Sequence, residues 1–167
     1  ISWEQVNFTG GRRERIADVF FTKSGVGFAV GEAGAFFALQ PDAKTWKKQA
    51  PPIHFLMLDG AFADDFNGVI VGAGGSILFT DDAGMSWTRD NAQGEPKTKL
   101  NPVYFINQKY GWAVGTEGKI FQTINGGRFW REQKTDVKVE LNDVFFLDTA
   151  EGWAIGDRGV ILHTTTG

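Results

Sequence analysis

The chain has 167 residues, a formal net charge of −3 and no cysteine. This length allows one ordinary domain with a hydrophobic core, and the missing cysteine excludes disulfides, thiol catalysis and cysteine-ligated metal sites. The acidic balance disfavours a nucleic-acid partner, and no apolar run is long enough to predict membrane insertion.

One pattern of glycine and apolar residues occurs four times along the chain. Each copy is anchored by a glycine that opens a GxxVG-like run, and successive anchors are 41, 43 and 41 residues apart. The anchors are Gly27, Gly68, Gly111 and Gly152. A phenylalanine lies six residues before each anchor, further glycines lie four and seven residues after it, and a tryptophan follows the first three anchors by 19 residues. A repeat of this length is typical of β-propeller blades.

Each repeat is predicted to form four short strands. In chain order these are a DVFF-like strand, a GWAVG-like strand, a KIFQT-like strand, and an outer strand that begins at the tryptophan. Aromatic and β-branched residues favour strands, glycine and asparagine mark the turns between them, and no helical periodicity is present. We therefore predict an all-β propeller in a single domain, residues 1–167. Its units span about residues 16–49, 58–90, 100–133 and 141–167.

The first residues of the chain resemble the strand that the fourth unit lacks. Ser2-Trp3-Glu4-Gln5 matches Phe129–Gln133 in type, although it is one residue shorter, and Trp3 precedes Trp46 by 43 residues. We therefore predict that Trp3 begins the outer strand of the fourth blade, which residues 1–6 complete. Such pairing closes a ring and hides strand edges. The ring would hold four blades in one chain or eight in a homodimer.

The turns before the outer strands carry a second pattern, Ser/Thr-x-Asp-x-Gly-x-Ser/Thr-Trp. It is complete in the second unit and looser in the third, where asparagine replaces aspartate. Its residues are Thr80, Asp82, Gly84 and Trp87, and then Thr123, Asn125, Gly127 and Trp130. Aspartate and asparagine side chains accept hydrogen bonds from backbone N–H groups in turns, and tryptophan rings pack between sheets. We interpret these residues as structural and predict no metal or cofactor.

These motifs resemble the BNR/Asp-box repeat. Together with GWAVG, KIFQTINGG and the W-x-x-Q of the third unit, they are most similar to the photosystem II stability/assembly factor-like family. The resemblance covers essentially the whole chain. It implies a non-enzymatic interaction platform that helps to assemble or stabilise a membrane protein complex, with a protein or peptide partner, in the periplasm or the thylakoid lumen. Because propellers of that family have more than four blades, the chain is alternatively a piece of a longer molecule.

A sialidase-like, glycan-binding or glycan-hydrolysing propeller is the alternative, because sialidases also carry Asp boxes. A resemblance to sialidases would imply three arginines that bind the substrate carboxylate, a tyrosine nucleophile with a glutamate partner, and an aspartate that acts as the acid. Tyr104 takes a first-strand position that phenylalanine takes in two other repeats, and Tyr110 lies in a turn. The arginines are scattered over the turns. We therefore predict no catalytic site.

The loops between repeats are better candidates for function, because binding residues often lie in them. The loop before the first repeat contains Arg12, Arg13 and Arg15, a local basic patch that would suit an acidic partner or peptide. A solvated loop without a partner is the other interpretation. Adjacent carboxylates at Asp64 and Asp65 lie in a predicted turn and are interpreted as solvated.

Overall fold

A computed structural model describes residues 2–9, 14–50, 53–89 and 98–167 of the chain. In these ranges the protein forms four β-sheets that follow one another in sequence. The first sheet has the order β1-β5-β4-β3-β2, and the second, third and fourth have the orders β6-β7-β8-β9, β10-β11-β12-β13 and β14-β15-β16. The prediction of an all-β chain with four blade-like repeats is confirmed. No helix within these ranges is long and apolar enough to cross a membrane.

The strand bounds follow the repeat. The first sheet contains β1 (Asn7–Thr9), β2 (Ile16–Phe21), β3 (Gly27–Gly31), β4 (Phe36–Leu39) and β5 (Thr45–Lys48). The second contains β6 (Met57–Phe62), β7 (Gly68–Gly72), β8 (Ile77–Thr80) and β9 (Thr88–Arg89). The third contains β10 (Leu100–Phe105), β11 (Gly111–Gly115), β12 (Ile120–Thr123) and β13 (Arg131–Gln133). The fourth contains β14 (Leu141–Phe146), β15 (Gly152–Gly156) and β16 (Val160–Thr164).

Apart from β1, neighbouring strands of each sheet are antiparallel. The registers repeat as well: Phe20 lies opposite Phe28 in the first sheet, and Phe145 lies opposite Trp153 in the fourth. The second strand of each repeat (β3, β7, β11 and β15) ends at a glycine for a steric reason. A Cβ atom on Gly115 would lie only 1.9 Å from the carbonyl oxygen of Lys99, closer than real Cβ atoms approach. The glycine four residues after each anchor therefore permits close contact between the first and second strands.

Successive sheets pack face to face through apolar side chains. We call the face that points to the next sheet in the chain the front, the opposite face the back, and the interface between two sheets a seam. At the first seam, Phe28 and Phe36 on the front of the first sheet pack with Ile70 and Leu78 on the back of the second. The innermost strands β2, β6, β10 and β14 contact one another in that order. This arrangement is typical of propeller blades.

The N-terminal strand lies elsewhere than the sequence predicts. β1 pairs in parallel with β5 of the first sheet, and Trp3 precedes it outside any strand, with its side chain 100% exposed. Phe8 of β1 packs edge-on against Phe37, with ring centroids 5.0 Å apart. The N-terminal strand therefore adds a fifth strand to the outer edge of the first sheet and does not complete the fourth.

Candidate functional site

The Asp box of the second unit is a closed network of hydrogen bonds within its own turn. One carboxylate oxygen of Asp82 accepts from the hydroxyl of Thr80 at 2.8 Å and from the backbone N–H of Ser86 at 2.8 Å. The other accepts from the hydroxyl of Ser86 at 2.5 Å. The hydrogen bond from the Ser86 hydroxyl is the main reason why the pKa of Asp82 lies below its usual value. Both carboxylate oxygens are thus used by the turn itself.

The third unit builds the same turn with an amide. Asn125 accepts from the Thr123 hydroxyl and from the backbone N–H of Phe129, both at 3.0 Å. The backbone N–H of Gly127 donates to the Thr123 hydroxyl at 3.0 Å. Asparagine can replace aspartate here because the turn needs an acceptor oxygen and not a charge.

The two boxes also contact each other. The guanidinium of Arg128 donates to Asp81 at 3.0 Å and lies 4.8 Å from the centroid of the Phe79 ring. This pair joins the turn of the second sheet to that of the third. The turns therefore line up on one edge of successive sheets.

The tryptophans that end the boxes fill the seams to different extents. Trp130 is 1% exposed, contacts Phe105 and donates its indole N–H to the carbonyl of Gly127 at 2.9 Å. Trp87 is half-buried and packs edge-on against Phe28 and Phe36 of the preceding sheet. The indole ring of the residue immediately before β9 or β13 thus closes the seam with the preceding sheet.

A cavity of about 310 Å³ lies at the third seam. We call it the seam cavity. Its lining includes Ile120 and Gln133 of the third sheet and Val144, Phe146 and Leu162 of the fourth. Ile77, Val103, Phe105 and Phe121 occupy the equivalent repeat positions at the second seam, where all four belong to the cluster around Trp130. The seam cavity is therefore the place in the third seam that a tryptophan fills in the second.

Aspartates on the inner strands link successive sheets. Asp18 accepts from the backbone N–H of Gly60 at 3.0 Å, and Asp59 accepts from that of Val103 at 2.7 Å. Burial, together with the neighbouring Asp18 carboxyl, raises the pKa of Asp59 to about 7. The sequence motifs did not indicate this pair. The available signal was position, because Asp18, Asp59 and Asp143 each lie nine residues before an anchor glycine.

The basic patch is described only in part. Arg12 and Arg13 lie outside the described residues. Arg15 lies next to β2 with an exposed side chain and forms an ion pair with Glu32 at 3.3 Å. Since ion pairs between exposed side chains contribute little, the Arg15 guanidinium is accessible to a competing carboxylate.

The tyrosines of the sialidase alternative lie in packed positions. Tyr104 is half-buried, its ring lies 5.6 Å from that of Phe145, and its hydroxyl donates to the carbonyl of Phe146 at 3.4 Å. Tyr110 packs against the core of the third seam. Across the described ranges, no three His, Asp or Glu side chains form a group that could hold a metal ion.

Comparisons with known proteins show the family to which the repeats belong. Residues 95–167 match the family model described as photosynthesis system II assembly factor YCF48. The chain is 39% identical over 124 residues to the photosystem II assembly lipoprotein Ycf48 of a Synechocystis species. The chain belongs to the Ycf48 family. The alignment covers 72% of this chain but 36% of that relative, so the chain spans only about a third of the relative's length.

Solved structures show the Ycf48 fold over most of the chain. A structure of YCF48 bound to a D1 peptide superposes with a TM-score of 0.71 and 18% identity, covering 91% of this chain and 51% of that one. A computationally designed protein, Ika4, superposes with a TM-score of 0.75 and 12% identity, covering 99% of this chain and all of that one. Identities this low show the fold alone. They confirm that the sheets of this Ycf48-family chain are arranged like propeller blades.

Proposed function

We propose that this Ycf48-family protein is a non-enzymatic platform that binds an extended segment of a membrane-protein client. The observation that carries the proposal is the solved relative, YCF48 bound to a D1 peptide, whose fold matches 91% of this chain. The Asp82 carboxylate does not favour a catalytic role, because the turn itself uses both of its oxygens. As in the relatives whose name includes "lipoprotein", we propose an extracytoplasmic location.

The basic segment before β2 is the proposed contact for the client. Guanidinium groups pair with carboxylates through two parallel hydrogen bonds, so Arg12, Arg13 and Arg15 suit an acidic peptide or a terminal carboxylate. The exposed Arg15–Glu32 pair supports this assignment, because exchanging one carboxylate for another costs little.

Binding of fluorescein-labelled peptides that tile the D1 protein, followed by anisotropy, tests the proposal. At least one peptide should bind, and changing Arg12, Arg13 and Arg15 together to glutamate should weaken its binding at least tenfold. Arg158→Glu is the matched control, because Arg158 is an exposed arginine of the fourth sheet, and it should change binding less than twofold. Unchanged binding by the triple variant would contradict the assignment, and no binding by any peptide would contradict the function.

We also propose that the four sheets belong to a closed propeller ring. The exposed apolar side chains on the back of the first sheet and the front of the fourth support closure, because open faces of this kind favour association. A closed ring should bind little of the hydrophobic dye ANS at neutral pH. Strong ANS binding by the fully folded protein would contradict closure.

A further inference from the structure

Large apolar side chains are exposed along the edge of the sheets that carries the Asp boxes. The turns between first and second strands reach the same edge, because the backbone N–H of Ala83 donates to the carbonyl of Phe66 at 3.0 Å. The backbone N–H of Gly126 donates in the same way to the carbonyl of Lys109, at 2.9 Å. We call this edge the turn edge. In the first three sheets it exposes, each by at least 40%, Val26, Phe66, Met85, Ile124 and Phe129.

These side chains lie on neighbouring turns, because each Asp box packs on the turn of the preceding sheet. Met85 of the second box and Val26 of the first sheet line the same cavity. In the third box, a Cβ atom on Gly126 would lie 3.9 Å from the Cβ atom of Asn67, the residue after Phe66. Exposed apolar residues that lie together mark interaction sites. We call the following five residues the apolar strip: Val26, Phe66, Met85, Ile124 and Phe129.

Neither the fold nor further sheets account for the apolar strip. The repeat positions of Phe66 and Met85 are held in other repeats by Gly25, Lys109 and Ala150, and by Lys44 and Arg128. The turns therefore form without apolar side chains at these positions. Sheets of a propeller pack face to face around the ring, whereas the turn edge lies at one end of the strands of every sheet. Additional sheets would lengthen this edge and leave the strip exposed.

The first seam contains a pocket beside the strip. This first-seam pocket has a volume of about 510 Å³, and its lining includes Val26, Phe28, Phe36, Ala38, Met85 and Trp87. At the second seam, Phe79 holds the position of Ala38. Arg128 holds that of Met85, and its guanidinium lies 4.8 Å from the centroid of the Phe79 ring. The first seam thus lacks the ring and the cation that cover the second. An apolar cavity of about 150 Å³ already holds a benzene ring, so the pocket has room for a large apolar side chain.

The charge of the turn edge favours a basic partner. The two turns of the second sheet, residues 63–67 and 80–87, contain four aspartates and neither lysine nor arginine. Along the described turns of this edge as a whole, carboxylates outnumber lysine and arginine side chains. Complementary charge selects partners and repels those of like charge. Anionic lipid surfaces and anionic dyes such as ANS are therefore disfavoured at the strip, and an apolar polypeptide segment with basic residues is favoured.

We propose that the apolar strip and the first-seam pocket bind a polypeptide segment in which a large apolar side chain lies next to lysine or arginine. The apolar side chain enters the pocket beside Met85, and the aspartates of the second sheet attract the basic groups. The inference rests on the client binding proposed above and gives the client a second contact. Arg15 lies before the start of β2, whereas the turn edge lies beyond its end. The two contacts therefore select different parts of the client.

Three fluorescein-labelled peptides of equal length test this chemistry by anisotropy. They alternate Leu with Lys, Leu with Glu, and Ser with Lys. The Leu–Lys peptide should bind at least tenfold more tightly than either of the others. Equal binding of the Leu–Lys and Ser–Lys peptides would mean that charge alone is recognised, and equal binding of the Leu–Lys and Leu–Glu peptides would mean that charge is irrelevant. Either result, or no binding of the Leu–Lys peptide, would overturn the proposal.

Substitutions locate the site. Ala38→Phe should weaken binding of the Leu–Lys peptide at least tenfold, because it places in the pocket the ring that Phe79 supplies at the second seam. Phe66→Ser and Met85→Ser should each weaken it at least fivefold. Phe55→Ser is the matched control, since Phe55 is also exposed, at 52%, but lies between β5 and β6, and it should change binding less than twofold. Thermal unfolding checks that each variant is folded. Unchanged binding by Phe66→Ser and Met85→Ser would overturn the proposal.

Vesicles and client peptides separate this inference from the alternatives. Cosedimentation with phosphatidylcholine vesicles that Phe66→Ser abolishes would assign the strip to lipid and overturn the proposal. Among the D1 peptides that bind, at least one should bind more weakly to Met85→Ser and equally well to the triple arginine variant. If the strip binds the Leu–Lys peptide and no D1 peptide binds, the proposed function alone is refuted. If D1 peptides bind and no strip variant affects them, this inference alone is refuted.

Discussion

The second and third seams are built from the same repeat positions, but the second is filled and the third contains a cavity. At the second seam, Trp130 fills the space beside Phe105 and is almost completely buried. At the third, Phe146 takes the position of Phe105, but a cavity of about 310 Å³ lies where the indole ring would be. The difference shows that the side chains of the two facing sheets line a seam, whereas the tryptophan next to an outer strand fills it. Four changes test this comparison.

Trp130→Ala should have the largest effect. Truncating a fully buried aromatic side chain typically costs about 3 to 5 kcal/mol of unfolding free energy, because both apolar contacts and packing are lost. Urea unfolding measures this change. Trp130→Phe is the control: it keeps a ring in the seam, loses the bond to the Gly127 carbonyl, and should cost clearly less. A cost below about 1 kcal/mol for alanine would mean that Trp130 does not hold the seam together.

Asp59 at the second seam should make stability depend on pH. Its pKa is raised to about 7 in the folded protein, above the value near 3.9 of an unfolded chain. The protonated form therefore stabilises the fold fully below about pH 4, and this contribution is lost as the pH rises through 7.

Between pH 5 and pH 8 the unfolding free energy should fall by about 2 kcal/mol from this group. Asp59→Asn should remove that slope, because the amide keeps an acceptor for the Val103 N–H and cannot ionise. Asp143→Asn, at the same repeat position in the fourth sheet, should leave the slope in place. Denaturant melts at pH 5, 6, 7 and 8 measure it. Equal slopes in the wild type and Asp59→Asn would show that Asp59 is not the group responsible.

Enlarging one side chain should have opposite effects at a filled and an empty seam. Leu162 holds the repeat position that Phe121 holds at the second seam. Leu162→Phe adds atoms where the seam cavity has room, so it should raise the unfolding free energy by about 1 kcal/mol. Leu78→Phe, at the same repeat position on the back of the second sheet, is the control. Leu78 is packed at the first seam, and overpacking it should cost about 1 to 3 kcal/mol. Destabilisation of similar size in both variants would contradict a vacant third seam.

Asp82→Ala should have the smallest effect of the four. It removes the acceptor of the buried Thr80 hydroxyl and of two exposed groups of Ser86, which water can replace, and the net contribution of a single hydrogen bond is about 1 kcal/mol. Asp82→Asn copies the third unit and should be nearly neutral. Thermal unfolding distinguishes the two, and a large loss for Asp82→Asn would mean that the charge itself matters.

The local parts of the fold could be predicted because they depend on short-range geometry. The anchor glycines and the phenylalanines before them marked two strands in every sheet, and the Asp-box spacing identified turns that Asp82 and Asn125 close within a few residues. The Ycf48 family followed from the same motifs.

Contacts between repeats could not be predicted in the same way. Asp18 and Asp59 are 41 residues apart, and only the stacking of two sheets brings their carboxyl groups together. The place of β1 was missed for a related reason. Ser2–Gln5 resembles an outer strand in sequence, but it is Asn7–Thr9 that pair, and the edge that they meet depends on how the sheets are arranged.

The sequence by itself determined the number of sheets, the order of the repeat strands within each sheet and the residue types that face each seam. A two-residue alternation and a repeat of about 41 residues are sufficient for that. Only the tertiary structure decided which seams are filled, which carboxyls meet and which edges remain open. These properties depend on how one sheet packs against the next, and that packing joins residues a whole repeat apart.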